Sequence, residues 1–344
     1  AQAQESQERL RHIAMSAGED VQPPPEQELA EPLMDLTNLG RTVDGVGFAY
    51  LSLSCVNKRI NPIKSIEGYS HLQKIDLSQN VIKDVAPLKG LQFVLSLNLS
   101  SNEISSIRTW EEGSLPHLMH LDLSNNAITA LLPMPFPALR TASFARNDIS
   151  TCADFTGHEK LISLDLSENR LTSLAGLANL PALTELSLAG GLKNGNPTNQ
   201  LESIEGLAGV EALKELNLAR NKFSIVPNAW EGFANLESLD ISENSIEDPR
   251  EKPLEHPLDV LRQLPKLRKL SAQGNPFAEP EEPPEDFNVR AEMLRSHWRL
   301  ENINGTPVSD DDKEAARLLN LKRLEEDRAR KKAEEEAQKQ EEDA

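Results

Sequence analysis

The stretch Leu72–Asn80, which reads LQKIDLSQN, has apolar residues at its first, fourth and sixth positions and an asparagine at its ninth. Near-copies recur at Leu118–Asn126, Leu161–Asn169 and Leu236–Asn244, which read LMHLDLSNN, LISLDLSEN and LESLDISEN. Alternation of apolar and polar residues over so few positions predicts a short strand whose leucines point inward. One such strand cannot bury its apolar side alone, so we expect neighbouring copies to stack on one another.

The asparagine that closes each copy recurs at a nearly constant interval. Its spacings are 22, 24, 21, 22, 30, 22, 23 and 31 residues, so the base period is 22. This pattern is typical of a leucine-rich repeat, and it predicts an α/β leucine-rich-repeat solenoid of about ten repeats, with a curved parallel sheet on its concave face. Each asparagine should end its strand and bond the backbone of the next turn. The predicted ladder comprises Asn80, Asn102, Asn126, Asn147, Asn169, Asn199, Asn221, Asn244 and Asn275.

Segments of different character flank the repeats. The first residues are polar and include three consecutive prolines, whereas the last residues alternate between acidic and basic side chains. Between the repeats and this charged end, a helical pattern followed by a strand pattern is typical of a cap that seals the open apolar end of the stack. We therefore predict an extended N-terminal arm over residues 1–32, a capping segment over 33–47, the solenoid over 48–280, a C-terminal cap over 281–308 and a charged helical tail over 309–344.

Two insertions interrupt the 22-residue period. Eight extra residues fall within Ala189–Thr198, where glycines and a proline indicate turns, and we expect this loop to leave the stack at the concave rim. Nine extra residues include Asp248–Pro253 and should bulge on the convex or side surface. Either insertion is ordinary loop growth or a contact for a partner protein.

The tail begins with a strong helix-start signal, Ser309–Asp312, with acidic residues at the positive end of the helix. Leucines between Leu318 and Leu324 form one short apolar stripe, after which charged residues and alanines follow. We expect a projecting helix that docks near Leu318–Leu324 and is exposed or disordered beyond. A long coiled coil is not predicted, because the leucines do not continue at heptad spacing.

Composition limits the classes of partner. The formal net charge is -19, from 55 Asp and Glu against 36 Lys and Arg, and this argues against nucleic acid or an anionic membrane as the main partner. The two cysteines provide no disulfide framework, which favours a reducing, cytoplasmic compartment. No apolar run approaches the roughly 18 residues of a membrane helix.

The motifs of the common enzyme and metal-site classes are absent from the sequence. It contains no glycine-rich phosphate loop, no H-E-x-x-H motif and no paired-cysteine metal motif. His117 and His120 are close in sequence, but no acidic or thiol nucleophile accompanies them. We therefore predict no catalytic residue, no metal and no cofactor, and a protein that is not an enzyme.

Polar residues between the strand leucines should face the concave surface. Small and partly acidic residues occupy the middle of each L-x-L triplet, and larger charged residues precede it. Leu-Asp-Leu-Ser is a common form of this repeat, so these residues have a structural interpretation besides a groove that accepts a basic partner segment. The candidate binding residues are Lys74, Asp76, His120, Asp122, Asp165, Glu185, Glu215, Asp240 and Lys269. Trp110 and Trp230 would be contact candidates if exposed.

Several segments together resemble a particular family. Phe48-Ala49-Tyr50 opens a degenerate first repeat, Ala142–Asn147 reads ASFARN in the middle, and Asn275-Pro276-Phe277 closes the array before a charged tail. From roughly Leu33 to Leu324 the chain is similar to the leucine-rich repeat-containing protein 23 family. The insertion within Ala189–Thr198 departs from that family.

This resemblance implies a structural, non-catalytic subunit in the head region of the axonemal radial spoke, in the cytoskeleton of motile cilia or flagella. Its partners would be other radial-spoke and axonemal proteins in a large hetero-complex. The alternative is a phosphatase-regulatory leucine-rich-repeat protein that grips an enzyme in its concave groove. A row of aromatic and acidic residues along the groove would favour that alternative, whereas the groove predicted here is mostly Ser, Asn and Asp.

Overall fold

The computed structural model describes residues 25–42, 45–193, 195–248, 256–280 and 287–342. It is a leucine-rich-repeat solenoid, as predicted, built on one continuous thirteen-stranded sheet. Strands β2 to β8 and β11 to β14 run parallel, while β1 and β15 pair antiparallel at the two ends. The strands are β1 Asp35–Arg41, β2 Phe48–Ser54, β3 Lys74–Asp76, β4 Ser96–Asn98, β5 His120–Asp122, β6 Thr141–Ser143, β7 Ser163–Asp165, β8 Glu185–Ser187, β9 Leu192–Lys193, β10 Asn196–Pro197, β11 Glu215–Asn217, β12 Ser238–Asp240, β13 Lys269–Ser271, β14 Asn302–Ile303 and β15 Thr306–Pro307.

Helical elements are few, because a 22-residue turn leaves little room on the convex side. Short 3₁₀ segments cover Glu31–Leu33, Lys64–Gly68, Ala86–Leu88 and Pro257–Gln263. Two α-helices follow the last repeat, α1 Val289–Ser296 and α2 Asp310–Glu342.

One apolar residue at the centre of each three-residue strand points into the stack and is buried, as with Ile75, Leu97 and Leu216. Adjacent strands align these residues directly, so that Ile75 is paired with Leu97 and Leu97 with Leu121. The largest fully buried side chains include phenylalanines that fill the space behind the sheet. The core is therefore a continuous column whose stability depends on contacts between neighbouring repeats.

The asparagine ladder holds successive turns together, but in the opposite direction from the one expected. The Asn102 side chain accepts a hydrogen bond from Ile82 N–H at 3.0 Å and donates to Leu77 O at 3.0 Å, both in the preceding repeat. It also donates to Leu99 O in its own repeat at 2.9 Å. The amide therefore bonds the backbone of its own turn and of the preceding turn, and not that of the following one.

Residues of the predicted arm partly belong to the solenoid. From Pro25 onward the chain lies against the first repeat, where Gln27 N–H donates to Arg59 O at 3.0 Å and the Leu29 side chain is buried. Leu29 covers apolar side chains at the open end of the stack, which explains why this part is ordered without a partner. The earlier part of the arm lies outside the described residues, as does most of the insertion after Asp248.

The insertion between β8 and β11 forms a two-stranded hairpin, β9–β10, that is separate from the main sheet. The Lys193 ammonium donates to the carbonyl oxygens of Arg146 and Asn147 at 3.3 and 3.1 Å, and it pairs with Asp148 at 3.3 Å. Gly190 begins the hairpin, and a Cβ there would lie 1.7 Å from the Arg220 carbonyl oxygen. The hairpin is therefore anchored across the exits of earlier repeats.

The C-terminal helix docks differently from the predicted leucine stripe. Ala316 and Leu319 are buried, whereas Leu318 and Leu321 are exposed. Leucines at positions 318 and 319 are about 100° apart around a helix, so only one of them can face the cap. Docking therefore uses a narrow apolar contact together with polar bonds to α1.

Candidate interaction groove

Two rows of side chains cover the concave face of the sheet. We define the first row as the opening residue of each strand, from Lys74 in β3 to Lys269 in β13, and the second row as the closing residue, from Asp76 to Ser271. Both rows stand on either side of the buried central residue, because side chains alternate along a strand. The structure therefore places all nine predicted binding residues on this face.

The four aspartates of the second row have a structural role that limits their freedom. One carboxylate oxygen of Asp122 accepts a hydrogen bond from Ser124 N–H at 2.9 Å, and Asp165 accepts from Ser167 N–H at the same distance. Asp76 and Asp240 make the equivalent bond to the residue two positions on. These carboxylates cap the turn that follows each strand. The structural interpretation of the Leu-Asp-Leu-Ser pattern therefore holds for this row, although a second carboxylate oxygen remains on each residue.

The first row carries the more exposed predicted residues. Glu185 and Glu215 are exposed, and they are direct neighbours in the register of β8 and β11. Like charges directly opposite each other on adjacent strands are destabilising. His120 contacts Thr141 on the next strand, with 2.9 Å between its Nδ1 and the hydroxyl oxygen. The glutamate pair is consequently the part of the groove whose residues contribute least to the stability of the fold.

Shallow concavities join some predicted residues and separate others. One of about 370 Å³ is lined by Asp165, Glu185, Glu215 and Asp240, together with serine, asparagine and leucine residues. A second, of about 310 Å³, is lined by His120, Asp122 and Asp165 and neighbouring small residues. The lysines Lys74 and Lys269 lie outside both. The centre of the groove is thus acidic, and its two lysines lie toward its ends, Lys74 beside Asp76 in β3 and Lys269 in β13.

Ion pairs that the sequence reading missed border the groove on the side where the strands end. The Arg146 guanidinium binds both carboxylate oxygens of Glu168, and Arg220 does the same to Glu243 at 2.8 Å. The Arg220 hydrogen bond lowers the pKa of the Glu243 carboxyl, although partial burial opposes it. Each pair joins the residues directly before successive ladder asparagines, so an Arg and a Glu one repeat apart, 22 residues in the first pair and 23 in the second, could have indicated them.

Trp110, Trp230 and the two cysteines are buried packing residues. Trp110 and Trp230 are buried and contact Phe136 and Phe233 edge to face, so the prediction that they could contact a partner does not apply. Burial raises the pKa of the Cys152 thiol to about 12. A thiol with that pKa is almost entirely protonated near neutral pH and is a poor nucleophile.

Polar contacts between the cap and α2 form a second feature that the sequence reading missed. The Arg290 guanidinium forms two bonds to the Asp312 carboxylate, at 2.9 and 2.7 Å, and holds the pKa of that carboxyl well below its usual range. The buried Glu292 carboxylate pairs with Arg295 and with Arg323 of α2 at 3.1 and 2.9 Å. The Arg290–Asp312 and Glu292–Arg323 pairs link residues distant in sequence, so no local pattern indicates them.

The described residues contain neither a membrane-spanning helix nor a cluster of metal ligands. None of the helices described is both long and apolar enough to cross a membrane. In the same part of the chain, no three His, Cys, Asp or Glu residues are arranged to hold a metal ion.

The fold and the groove together define a leucine-rich repeat protein, a class that typically serves protein–protein interaction. Family models described as leucine-rich repeats match residues 114–130, 159–209 and 198–246. Among solved structures, the functional domain of InlJ from Listeria monocytogenes is 18% identical, covers 78% of this chain and 56% of that chain, and has a TM-score of 0.46.

Named relatives give a narrower assignment. Leucine-rich repeat-containing protein 23 from Bos taurus is 30% identical over 309 residues, covering 84% of this chain and 78% of that protein. The protein of the same name from Homo sapiens is 29% identical over 332 residues, covering 88% and 83%. The chain therefore belongs to the leucine-rich repeat-containing protein 23 family, as the sequence resemblance indicated.

Proposed function

We propose that this chain is a non-catalytic structural subunit of the axonemal radial spoke in motile cilia or flagella, located in its head region. The observation that carries the proposal is the family similarity, which extends over most of the chain rather than over the repeats alone. The resemblance implies other radial-spoke and axonemal proteins as partners. A rigid, preformed surface suits such a subunit, because binding to it loses little conformational entropy in the solenoid.

The concave groove supplies the contact chemistry that we propose for one of these partners. Its centre presents Glu185 and Glu215 side by side, with Asp165 and Asp240 in the same concavity. A partner segment that brings lysines or arginines to this centre would relieve the repulsion between the two glutamates. We therefore expect the groove to bind a basic segment of a neighbouring protein.

Localisation in a motile ciliated cell tests the spoke assignment. A tagged chain should remain with the axoneme after detergent removes the membrane, and it should be released together with radial-spoke proteins at high salt. Recovery in the detergent-soluble fraction, or absence from cilia, would contradict the proposal. Co-purification of that soluble material with a phosphatase would favour the alternative of a phosphatase-regulatory subunit.

Charge reversal at the glutamate pair tests the groove separately. The variant Glu185→Lys/Glu215→Lys should reduce incorporation into isolated axonemes by about tenfold or more, since loss of close charge pairs typically costs more than 1.4 kcal/mol in binding. Glu202→Lys/Glu205→Lys is the matched control, because these exposed glutamates lie outside the concave strands. Equal incorporation of both variants would exclude the groove and leave the spoke assignment intact.

A further inference from the structure

Among the described residues, the N-terminal end of the sheet has a backbone edge that no strand pairs with. Strand β1 is the outermost of the thirteen strands, and its second edge pairs with no strand in the part of the chain that the structure describes. Proteins commonly protect such an edge with lysines, prolines or a covering element. The sequence of β1, DLTNLGR, contains neither lysine nor proline. At the opposite end of the sheet, β15 is only two residues long.

Exposed apolar side chains lie on one face of this hairpin. Leu39 is paired with Tyr50 and Arg41 with Phe48 in the register of β1 and β2. Leu39, Tyr50 and Phe48 are 65%, 46% and 68% exposed, which is unusual for three neighbouring side chains of this type. The Arg41 guanidinium carbon lies 6.0 Å from the centre of the Phe48 ring.

The strand β1 is complementary in charge to a second copy of itself. In a symmetric antiparallel pair of β1 strands, residues directly opposite each other point to the same face of the sheet. Odd-numbered residues of one copy must therefore lie opposite odd-numbered residues of the other, and even-numbered opposite even-numbered. The register that uses all seven residues centres the twofold axis on Asn38. It places Asp35 of each copy opposite Arg41 of the other, and Thr37 opposite Leu39.

The backbone at Asn38 shapes this pairing. Its φ of 56° is left-handed, and its side-chain amide donates to the Ser52 hydroxyl at 2.7 Å within the same hairpin. A left-handed residue interrupts a regular ladder. The self-pairing therefore consists of two short ladders, residues 35–37 of one copy against 39–41 of the other, on either side of the axis.

We propose that the outer edge of β1 is a homodimer interface, occupied by β1 of a second copy in this antiparallel register. The sheets of the two copies then join into one continuous sheet. This is expected for a twofold interface, in which each copy contributes the same surface. The exposed apolar residues of the two hairpins lie on the same side of the joint. This inference rests on the edge strand alone and is independent of the spoke assignment.

Sedimentation velocity on the full chain over a series of concentrations measures the self-association. The unmodified chain should form dimers. Asp35→Arg and Arg41→Asp should each weaken self-association by about tenfold, because each turns two attractive cross-strand pairs into repulsive ones. The double variant Asp35→Arg/Arg41→Asp restores opposite charges and should dimerise again. Glu202→Lys/Glu205→Lys controls for net charge, and far-UV circular dichroism checks folding.

Mixing the two single variants gives the sharpest outcome. The Asp35→Arg chain carries only arginines at the two positions, and the Arg41→Asp chain carries only aspartates, so their heterodimer should be tighter than either homodimer. A chain that stays monomeric up to about 100 µM overturns the proposal. A dimer whose affinity is unchanged by Asp35→Arg and by Arg41→Asp also overturns it, since its interface would then lie elsewhere.

Discussion

Replacing one ladder asparagine by alanine should destabilise the whole solenoid. Asn169 is fully buried. Its side chain accepts a hydrogen bond from Ile149 N–H at 3.0 Å, and it donates to the carbonyl oxygens of Phe144 and Leu166 at 2.9 and 3.0 Å. In Asn169→Ala these backbone groups lose the side-chain partner while staying inside the stack.

The magnitude follows from the number of bonds. Each net hydrogen bond contributes about 1 kcal/mol, so three give a lower figure of about 3 kcal/mol. Leaving buried groups unsatisfied costs about 1–3 kcal/mol apiece, which raises the expected loss toward about 6 kcal/mol. Such a loss is comparable to the entire stability of many domains. Asn228, which is exposed, provides the control, and Asn228→Ala should change the free energy of unfolding by less than about 0.5 kcal/mol.

Urea unfolding followed by far-UV circular dichroism measures both variants. Repeat arrays can lose cooperativity, so the width of each transition should be compared before free energies are extracted. Asn169→Ala should lower the midpoint far more than Asn228→Ala does. Equal midpoints for the two variants would refute the view that the ladder ties each repeat to the preceding one.

Two further predictions concern the rim and the tail. Gly190→Ala should destabilise the chain by about 2 kcal/mol, because the new Cβ would overlap a carbonyl oxygen of a neighbouring turn, whereas Gly90→Ala has open space and should be neutral in the same urea titration. Asp312→Asn should cost about 2 kcal/mol at pH 7, since it removes a carboxylate bound by Arg290. The carboxyl pKa is lowered on folding, so this stabilisation is complete well above the ordinary value of 3.8 and is lost as pH falls below it. The difference between Asp312→Asn and the unmodified chain should therefore shrink in unfolding measurements near pH 3, and a constant difference would contradict the assignment.

Regular features of the fold followed from the sequence because they depend on short-range periodicity. The three-residue strands, the inward leucines and the positions of the ladder asparagines all come from a pattern within nine residues, such as Leu72–Asn80. The period then sets how turns stack, since each repeat contacts only its neighbours. The direction of the asparagine bonds did not follow, because the pattern fixes where an amide lies but not which adjacent turn it reaches.

Irregular features depend on contacts between distant residues, and these left no local signal. The insertion was expected at the rim from its turn residues, but its hairpin is held by Lys193 reaching backbone 46 and 47 residues earlier. The tail helix was expected from its charges, whereas its docking depends on Arg290 and Glu292 in the cap. The leucine stripe alone could not show that the helix is docked by a short apolar contact together with long-range ion pairs.

The charged residues in the two rows of the concave face have different effects on stability. This difference decides which substitutions can test partner binding without disturbing the fold. Asp122 and Asp165 cap the turns after their strands, so reversing their charge would disturb the solenoid and any partner contact together. Glu185 and Glu215 face each other across adjacent strands, where their proximity costs stability. The single variant Glu185→Gln removes that repulsion and should leave the fold as stable or more stable, whereas Glu185→Lys/Glu215→Lys places two like charges there again. A loss of binding accompanied by unchanged or higher stability would therefore place the partner contact on the first row.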